Sequence, residues 1–149
     1  RANESYAHDY YNRIKASVQA NSSWIYLHEY ISRKELLQLV SKHRYGIHAH
    51  QEEHFGIAVA EMVRAGCIPF VPIDGGPVEI VGGDTRLIYG TEEEAVDKII
   101  RVMNNPDEQI SILSYLDSRK KLFSTEKFMN QIREIVRRFQ ETTQSSQST

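Results

Sequence analysis

The sequence predicts an α/β fold, a mostly parallel sheet flanked by helices. Three observations carry that prediction. Short apolar runs alternate with stretches of helical periodicity, the pattern of βαβ units. The helical stretches have recognisable starts and stops. Three loops, Glu29 to Ser32, His50 to Gly56 and Asp74 to Val81, each follow an apolar run. In a parallel sheet such loops open at the carboxyl edge, where ligands bind.

The elements follow in order. Tyr6 to Gln19 reads as a helix, with Tyr10, Tyr11, Ile14 and Val18 at helical spacing, and Asn21-Ser22-Ser23 breaks it. Trp24-Ile25-Tyr26-Leu27 suits a buried strand. Ser32 and Glu35 form a capping-box pair for a helix that ends near His43. Tyr45 to Ala49 is a second strand. Gly56 to Arg64 is a helix stopped by Ala65-Gly66. Ile68 to Ile73 is a third strand, despite Pro69 and Pro72, and Asp74-Gly75-Gly76-Pro77 is a loop. Leu87-Ile88-Tyr89 is a fourth strand. Thr91 caps a helix through Asn104, with Glu92, Glu93 and Glu94 favourably placed in its first turn. Asp107 to Lys121 and Thr125 to Phe139 are further helices. Glu141 to Thr149 is a polar tail expected to be disordered.

Composition narrows the function. The chain has 149 residues, 40% of them apolar and 26% charged, the balance of an ordinary globular domain. A net charge of −2 argues against a general nucleic-acid binder. A single cysteine, Cys67, excludes an internal disulfide framework and fits a reducing compartment. No apolar run reaches the roughly 18 residues that span a bilayer. The first residues, Arg-Ala-Asn-Glu-Ser, resemble neither a signal peptide nor a natural start, so the chain is expected to belong to a longer polypeptide. The expected location is cytoplasmic, or peripheral at the cytoplasmic face of a membrane.

The chemistry concentrates between Glu53 and Val81. Gly56 removes a side chain where the backbone turns into a helix, exposing amides that lack intrahelical partners. With the helix dipole they form an anion site suited to a phosphate. Glu61, about one turn further on, can accept two hydrogen bonds from a diol such as a ribose. Glu53, before the helix, can reach a sugar hydroxyl. Gly75-Gly76 lets a second backbone approach a ligand closely. Two glutamates eight residues apart, or a Gly-Gly-Pro turn, would each alone be unremarkable. The ordered combination predicts one strand-edge cleft that would handle phosphate, ribose and sugar.

That segment, EHFGIAVAEMVRAGCIPFVPIDGGPVEIV, resembles the signature of glycosyltransferase family 4. The matching features are Glu53, Phe55-Gly56, Glu61, Ala65-Gly66, Gly75-Gly76 and Glu79-Ile80-Val81. The resemblance implies a Rossmann-like domain, the C-terminal half of a two-domain GT-B fold. It implies transfer of a sugar from a UDP-, GDP- or ADP-sugar to a glycan or lipid-linked acceptor, with retention and with no bound metal or cofactor. By the same likeness Glu53, as the catalytic carboxylate, holds the donor sugar and Glu61 the ribose. His54, Phe55, Gly56 and Ile57 meet sugar and phosphate, Gly75 and Gly76 approach the donor, and Tyr30-Ile31 flank the nucleobase. Glu-His-Phe-Gly-Ile and Gly-Gly-Pro are also similar to the dolichol-pathway α-1,2-mannosyltransferases.

The match runs from about Trp24 to Asn104 and has departures. Ala49-His50 stand where Pro-Ser is usual, and the proline after Ala-Gly comes one position late, at Pro69. The family's Gly-Arg strand and following Lys, which neutralise the diphosphate, are not found ahead of Tyr6. Residues 1–140 are therefore expected to form a partial donor-binding domain lacking its first strands, with the acceptor site on an N-terminal domain outside the chain. The fragment alone is expected to be inactive. A non-catalytic nucleotide-sugar-binding module and a GT-B-type epimerase remain as alternatives. His48 and His50 share a strand face at a spacing that can bind metal, but no metal is assigned to them. His50 lines the donor cleft or is an ordinary surface or core histidine. Cys67 reads as an inert core thiol and Arg137-Arg138 as a solvated face. Tyr89-Gly90 either brushes the ligand or simply ends a strand.

Overall fold

β2 (Ile68–Pro72) is the centre of a three-stranded parallel sheet of order β1-β2-β3, with β1 at Tyr45–Ile47 and β3 at Ile88–Tyr89. The structure is a computed structural model that describes residues 2–146, and side chains for residues 8–141. It comprises two compact units, residues 1–36 and 37–149. All five β2 residues are buried, as expected of an apolar run covered on both faces.

The two prolines of β2 fall where they cost no ladder bond. The amides of Ile68 and Val71 donate to opposite neighbours, to Arg44 O and Leu87 O respectively. By that alternation Pro69 faces the β3 side, where pairing begins only at Val71, and Pro72 faces the β1 side, where pairing ends at Phe70.

Around the sheet of the 37–149 unit lie α3 (Ile57–Ala65), α4 (Gly76–Ile80), α5 (Glu92–Met103), α6 (Pro106–Arg119), a 3₁₀ turn (Lys120–Phe123) and α7 (Thr125–Ser146). α2 (Arg33–Val40) spans the boundary between the units. The core is Val59 and Val63 of α3, Ile68, Phe70 and Val71 of β2, Ile80, Val81 and Leu87, closed by Val102, Ile112 and Leu116. The caps read from sequence are present. Thr91 Oγ1 accepts from Glu94 N at 3.2 Å, and Gly66 ends α3 in the left-handed region. Cys67 is buried, and its thiol donates to His43 O at 2.8 Å and Val40 O at 3.2 Å. Burial raises its pKa, as an inert core thiol requires.

In the 1–36 unit, α1 (Ala2–Ala20) ends in a turn in which the amides of Trp24 and Ile25 donate to Asn21 O. The strand expected over Trp24 to Leu27 does not form. Trp24 is 70% and Tyr26 73% exposed, and no strand pairs with the segment among the described residues. Its apolar composition suits a sheet, but a strand exists only through a neighbour that satisfies its backbone. The capping box is as expected. Ser32 N donates to Glu35 Oε2 at 2.7 Å, and Glu35 N to Ser32 Oγ at 3.3 Å.

Two further differences concern the larger unit. Gly76–Ile80, read as loop, is the short helix α4, with Pro77 in its first turn. Proline suits that position because first-turn amides have no intrahelical acceptor. α7 also continues through Glu141 to Ser146, the first part of the expected tail, whereas residues 147–149 lie outside the described residues.

Candidate functional site

Two of the three predicted loops are locked together at the carboxyl edge of the sheet. The β1–α3 loop presents Glu53 O, which accepts a hydrogen bond from Gly76 N, at the start of α4, at 2.8 Å. The approach is so close that only glycines fit. A Cβ on Gly75 would lie 2.4 Å from Glu53 O, and one on Gly76 would lie 2.5 Å from His54 O and 2.6 Å from Phe55 O. Gly75 also has φ 89° and ψ −173°, a conformation essentially reserved for glycine. The Gly-Gly pair thus brings two loop backbones together, rather than only a backbone and a ligand.

Gly56 is the hinge into α3. It has φ 86°, and a Cβ there would lie 2.9 Å from Pro77 Cγ. It offers α3 no side-chain cap. The Glu53 carboxylate acts there instead. Glu53 Oε1 accepts from Gly56 N at 3.3 Å and from Phe55 N at 3.4 Å. The Phe55 and Gly56 amides hold its carboxyl below the usual carboxylate range, with His50 and His48 adding a smaller effect. The Gly56 amide, read from sequence as a ligand donor, is therefore already engaged by an anion of the chain itself. The next amides, of Ile57 and Ala58, belong to the first turn of α3 and have no intrahelical acceptor.

The other named residues divide. Glu61 is half-buried on α3, five residues beyond Gly56. His54 is exposed, and Phe55 and Ile57 are more than half exposed on either side of Gly56. Ile47 and Ile73, at the ends of β1 and β2, are also exposed. Tyr30 and Ile31 belong to the 1–36 unit, where Tyr30 is fully exposed with φ 52°.

Several supporting residues were missed or left open in the sequence. Tyr89 Oη donates to His48 O at 2.6 Å, tying the end of β3 to the residue after β1. The His48 and His50 rings stand edge to face with centroids 6.4 Å apart, and His48 Nε2 is buried without a hydrogen-bond partner. Among the described residues no three His, Cys, Asp or Glu are arranged to hold a metal ion. Glu52 takes φ 58°, a strained conformation for a non-glycine residue just before Glu53. Arg119 of α6 grips the far end of α4, donating from Nε to Ile80 O at 3.2 Å and from NH2 to Glu79 O at 2.7 Å. Of these, the charge of Arg119 was visible in the sequence, but not its target 39 residues away.

A parallel sheet, a glycine-hinged helix at its carboxyl edge and two interlocked loops are the features of a Rossmann-like α/β domain. Residues 9–117 match the family described as glycosyl transferases group 1, and the chain belongs to that family. It is 30% identical over 109 residues to a GDP-Man:Man(3)GlcNAc(2)-PP-Dol alpha-1,2-mannosyltransferase of Dictyostelium discoideum, which covers 72% of this chain and 22% of that protein. It is 42% identical over 48 residues to the protein of the same description from Candida albicans, covering 32% of this chain and 8% of the relative. The chain therefore spans about a fifth or less of the relatives it matches. No solved structure matches it significantly. Among the described residues no helix is long and apolar enough to cross a membrane.

Proposed function

We propose that this chain carries the nucleotide-sugar site of a retaining, metal-independent glycosyltransferase of family 4, with GT-B architecture. The donor is GDP-mannose and the acceptor a lipid-linked glycan, the pair written into the relatives' descriptions. The observation that carries the reading is the backbone interlock of Glu53 with Gly75-Gly76 beside the glycine-hinged start of α3. It holds the Glu53 loop and the start of α3 in one arrangement, which supports the reading because a preorganised site is what stabilises charge in a transition state.

In this reading the acceptor hydroxyl attacks the anomeric carbon from the face that the diphosphate leaves. The start of α3 stabilises the charge on the departing phosphate. Glu61 holds the ribose diol, and Glu53 faces the donor sugar. The exposed Phe55 and Ile57 shield the reacting centre from water.

The test is Glu61→Ala in the full-length protein, with GDP-mannose affinity and mannosyl transfer as readouts. Losing a charge-assisted hydrogen-bond pair of about 1.5–3 kcal/mol predicts at least a tenfold loss of donor affinity. Wild-type affinity and turnover in that variant would remove Glu61 from the site.

A further inference from the structure

We propose that the corner formed by the 3₁₀ turn and α7 is a membrane-contact surface that seats the domain on a bilayer carrying anionic phospholipids. Lipid phosphates enter a basic cavity at that corner, and acyl chains meet the apolar face of α7. The surface lies outside the donor site, and the proposal does not depend on the donor-site reading.

Three adjoining features make the surface. The first is a cavity of about 300 Å³ lined by Arg64, Lys120, Lys121, Ser124 and Thr125, three cations and two hydroxyls with no carboxylate in the lining. Lys120 pairs at 2.8 Å with Asp117, an exposed carboxylate outside that lining. The second is a cavity of about 430 Å³ that shares Ser124 and Thr125 with the first. Its remaining walls are Phe55, Leu122, Phe123, Phe128 and Gln131, which makes it largely apolar. The third is α7 itself. Phe128, Met129, Ile132, Ile135 and Val136 recur there at helical spacing, and all remain exposed, Ile135 by 63%. Phe128 belongs to both the second cavity and the stripe, so cations, apolar cavity and apolar helix face adjoin in that order.

Charge decides what covers the surface. From Asp117 to Glu141 the chain carries seven Lys and Arg against four Asp and Glu, although its net charge is −2. Within α7, Arg137 pairs with Glu134 and Glu141, and Arg138 with Glu134, so two of those four carboxylates are already engaged by the helix's own arginines. The excess of cations sits beside the apolar stripe. A bilayer answers both at once, because its phosphates form an anionic plane and its chains lie directly beneath. An apolar groove on a protein would match the stripe alone. An amphipathic helix of this kind lies in the plane of the interface, with its apolar face about 5–10 Å into the headgroup boundary. Phe55, which lines the second cavity, stands two residues after Glu53 in the β1–α3 loop. A seat on α7 therefore brings that loop to the membrane surface, where a lipid-linked acceptor is presented.

The experiment is co-sedimentation of the full-length protein with vesicles of phosphatidylcholine alone and of an equal mixture of phosphatidylcholine and phosphatidylglycerol. It compares wild type, the double variant Lys120→Gln/Lys121→Gln, and Ile135→Asn. Wild type is expected to prefer the anionic vesicles and to lose that preference in high salt. The double variant should partition onto them roughly tenfold or more weakly, since each basic residue near an anionic surface is worth about fivefold. Ile135→Asn should also partition roughly tenfold more weakly, through lost apolar burial. Equal partitioning of wild type and both variants overturns the proposal. Should Ile135→Asn fail to fold, Ile135→Trp decides. Quenching of the added indole by lipid brominated on its acyl chains places the stripe in the bilayer, and no quenching shows it covered by protein and overturns the proposal. Inorganic phosphate that protects wild type but not the double variant against heat, without vesicle binding, makes the cavity a small-anion site and overturns the bilayer. A loss of GDP-mannose affinity in the double variant would move the basic cavity into the donor site and overturn the proposal, while failure of wild type to bind GDP-mannose would overturn the donor-site reading alone.

Discussion

In the 37–149 unit, Ile68–Pro72 is paired on both sides, and the loop that follows it is tied by backbone to the loop after β1. In the 1–36 unit, Trp24 to Leu27 has a similar apolar composition and forms no strand, and the loop beyond it leaves Tyr30 wholly exposed. The difference lies in what each segment can pair with. An apolar run acquires strand geometry only when neighbours satisfy its backbone, and a loop acquires a fixed shape only when another backbone packs on it. Glycine made the second condition possible at Gly75 and Gly76, where any side chain would overlap a carbonyl.

Breaking that contact gives the largest expected effect. Gly75→Ala forces a Cβ to within 2.4 Å of a backbone oxygen, in a conformation that only glycine adopts readily. Neither partner is a flexible side chain that could move aside. The expected loss is about 3 kcal/mol or more of unfolding free energy, from strain and steric overlap together. Chemical denaturation of the full-length protein measures it, and nucleotide affinity should fall with it. A loss under about 1 kcal/mol would mean that the two loops separate easily and that the interlock does not organise the site.

An intermediate effect is expected where side chains, not backbone, support the same region. Arg119 holds two carbonyls at the end of α4. Arg119→Ala leaves those oxygens without their charged donor, at an expected cost of about 1–3 kcal/mol. Arg119→Lys should recover only part of it, because an ammonium cannot reproduce the guanidinium fork. Equal melting temperatures for Arg119→Lys and wild type would show that charge alone, without geometry, secures α4.

These two contacts also mark how far the sequence could be read. The parallel α/β order, the Ser32 and Thr91 caps, the Gly66 stop and the buried Cys67 were legible because each depends on residues near in sequence or on simple periodicity. The glycine hinge between Glu53 and Glu61 was legible as a motif, at Gly56. The engagement of Gly56 N by Glu53 was not, because one carboxylate three residues back can equally well face solvent. The Arg119 grip was invisible for another reason. It joins residues far apart in the chain, and no local pattern specifies a long-range carbonyl partner. The missing strand at Trp24 to Leu27 failed on the same ground. Its composition is local, whereas its pairing would have to come from elsewhere.

The smallest effect belongs to the second region of the comparison. Tyr30 has φ 52°, and its side chain is fully in water. Tyr30→Ala removes no buried surface. It also leaves the backbone penalty unchanged, since alanine is disfavoured in the left-handed region as tyrosine is. Stability should therefore stay within about 0.5 kcal/mol of wild type, the usual range for surface substitutions. A larger loss would show that the aromatic ring is covered in the full-length protein. Because the fold is expected to be indifferent, the same variant isolates function. A fall in GDP affinity at an unchanged melting temperature marks Tyr30 as a ligand contact, and unchanged affinity removes it from the donor-binding set. Gly75→Ala cannot make that separation, because there the contact that shapes the site is also the contact that holds the fold.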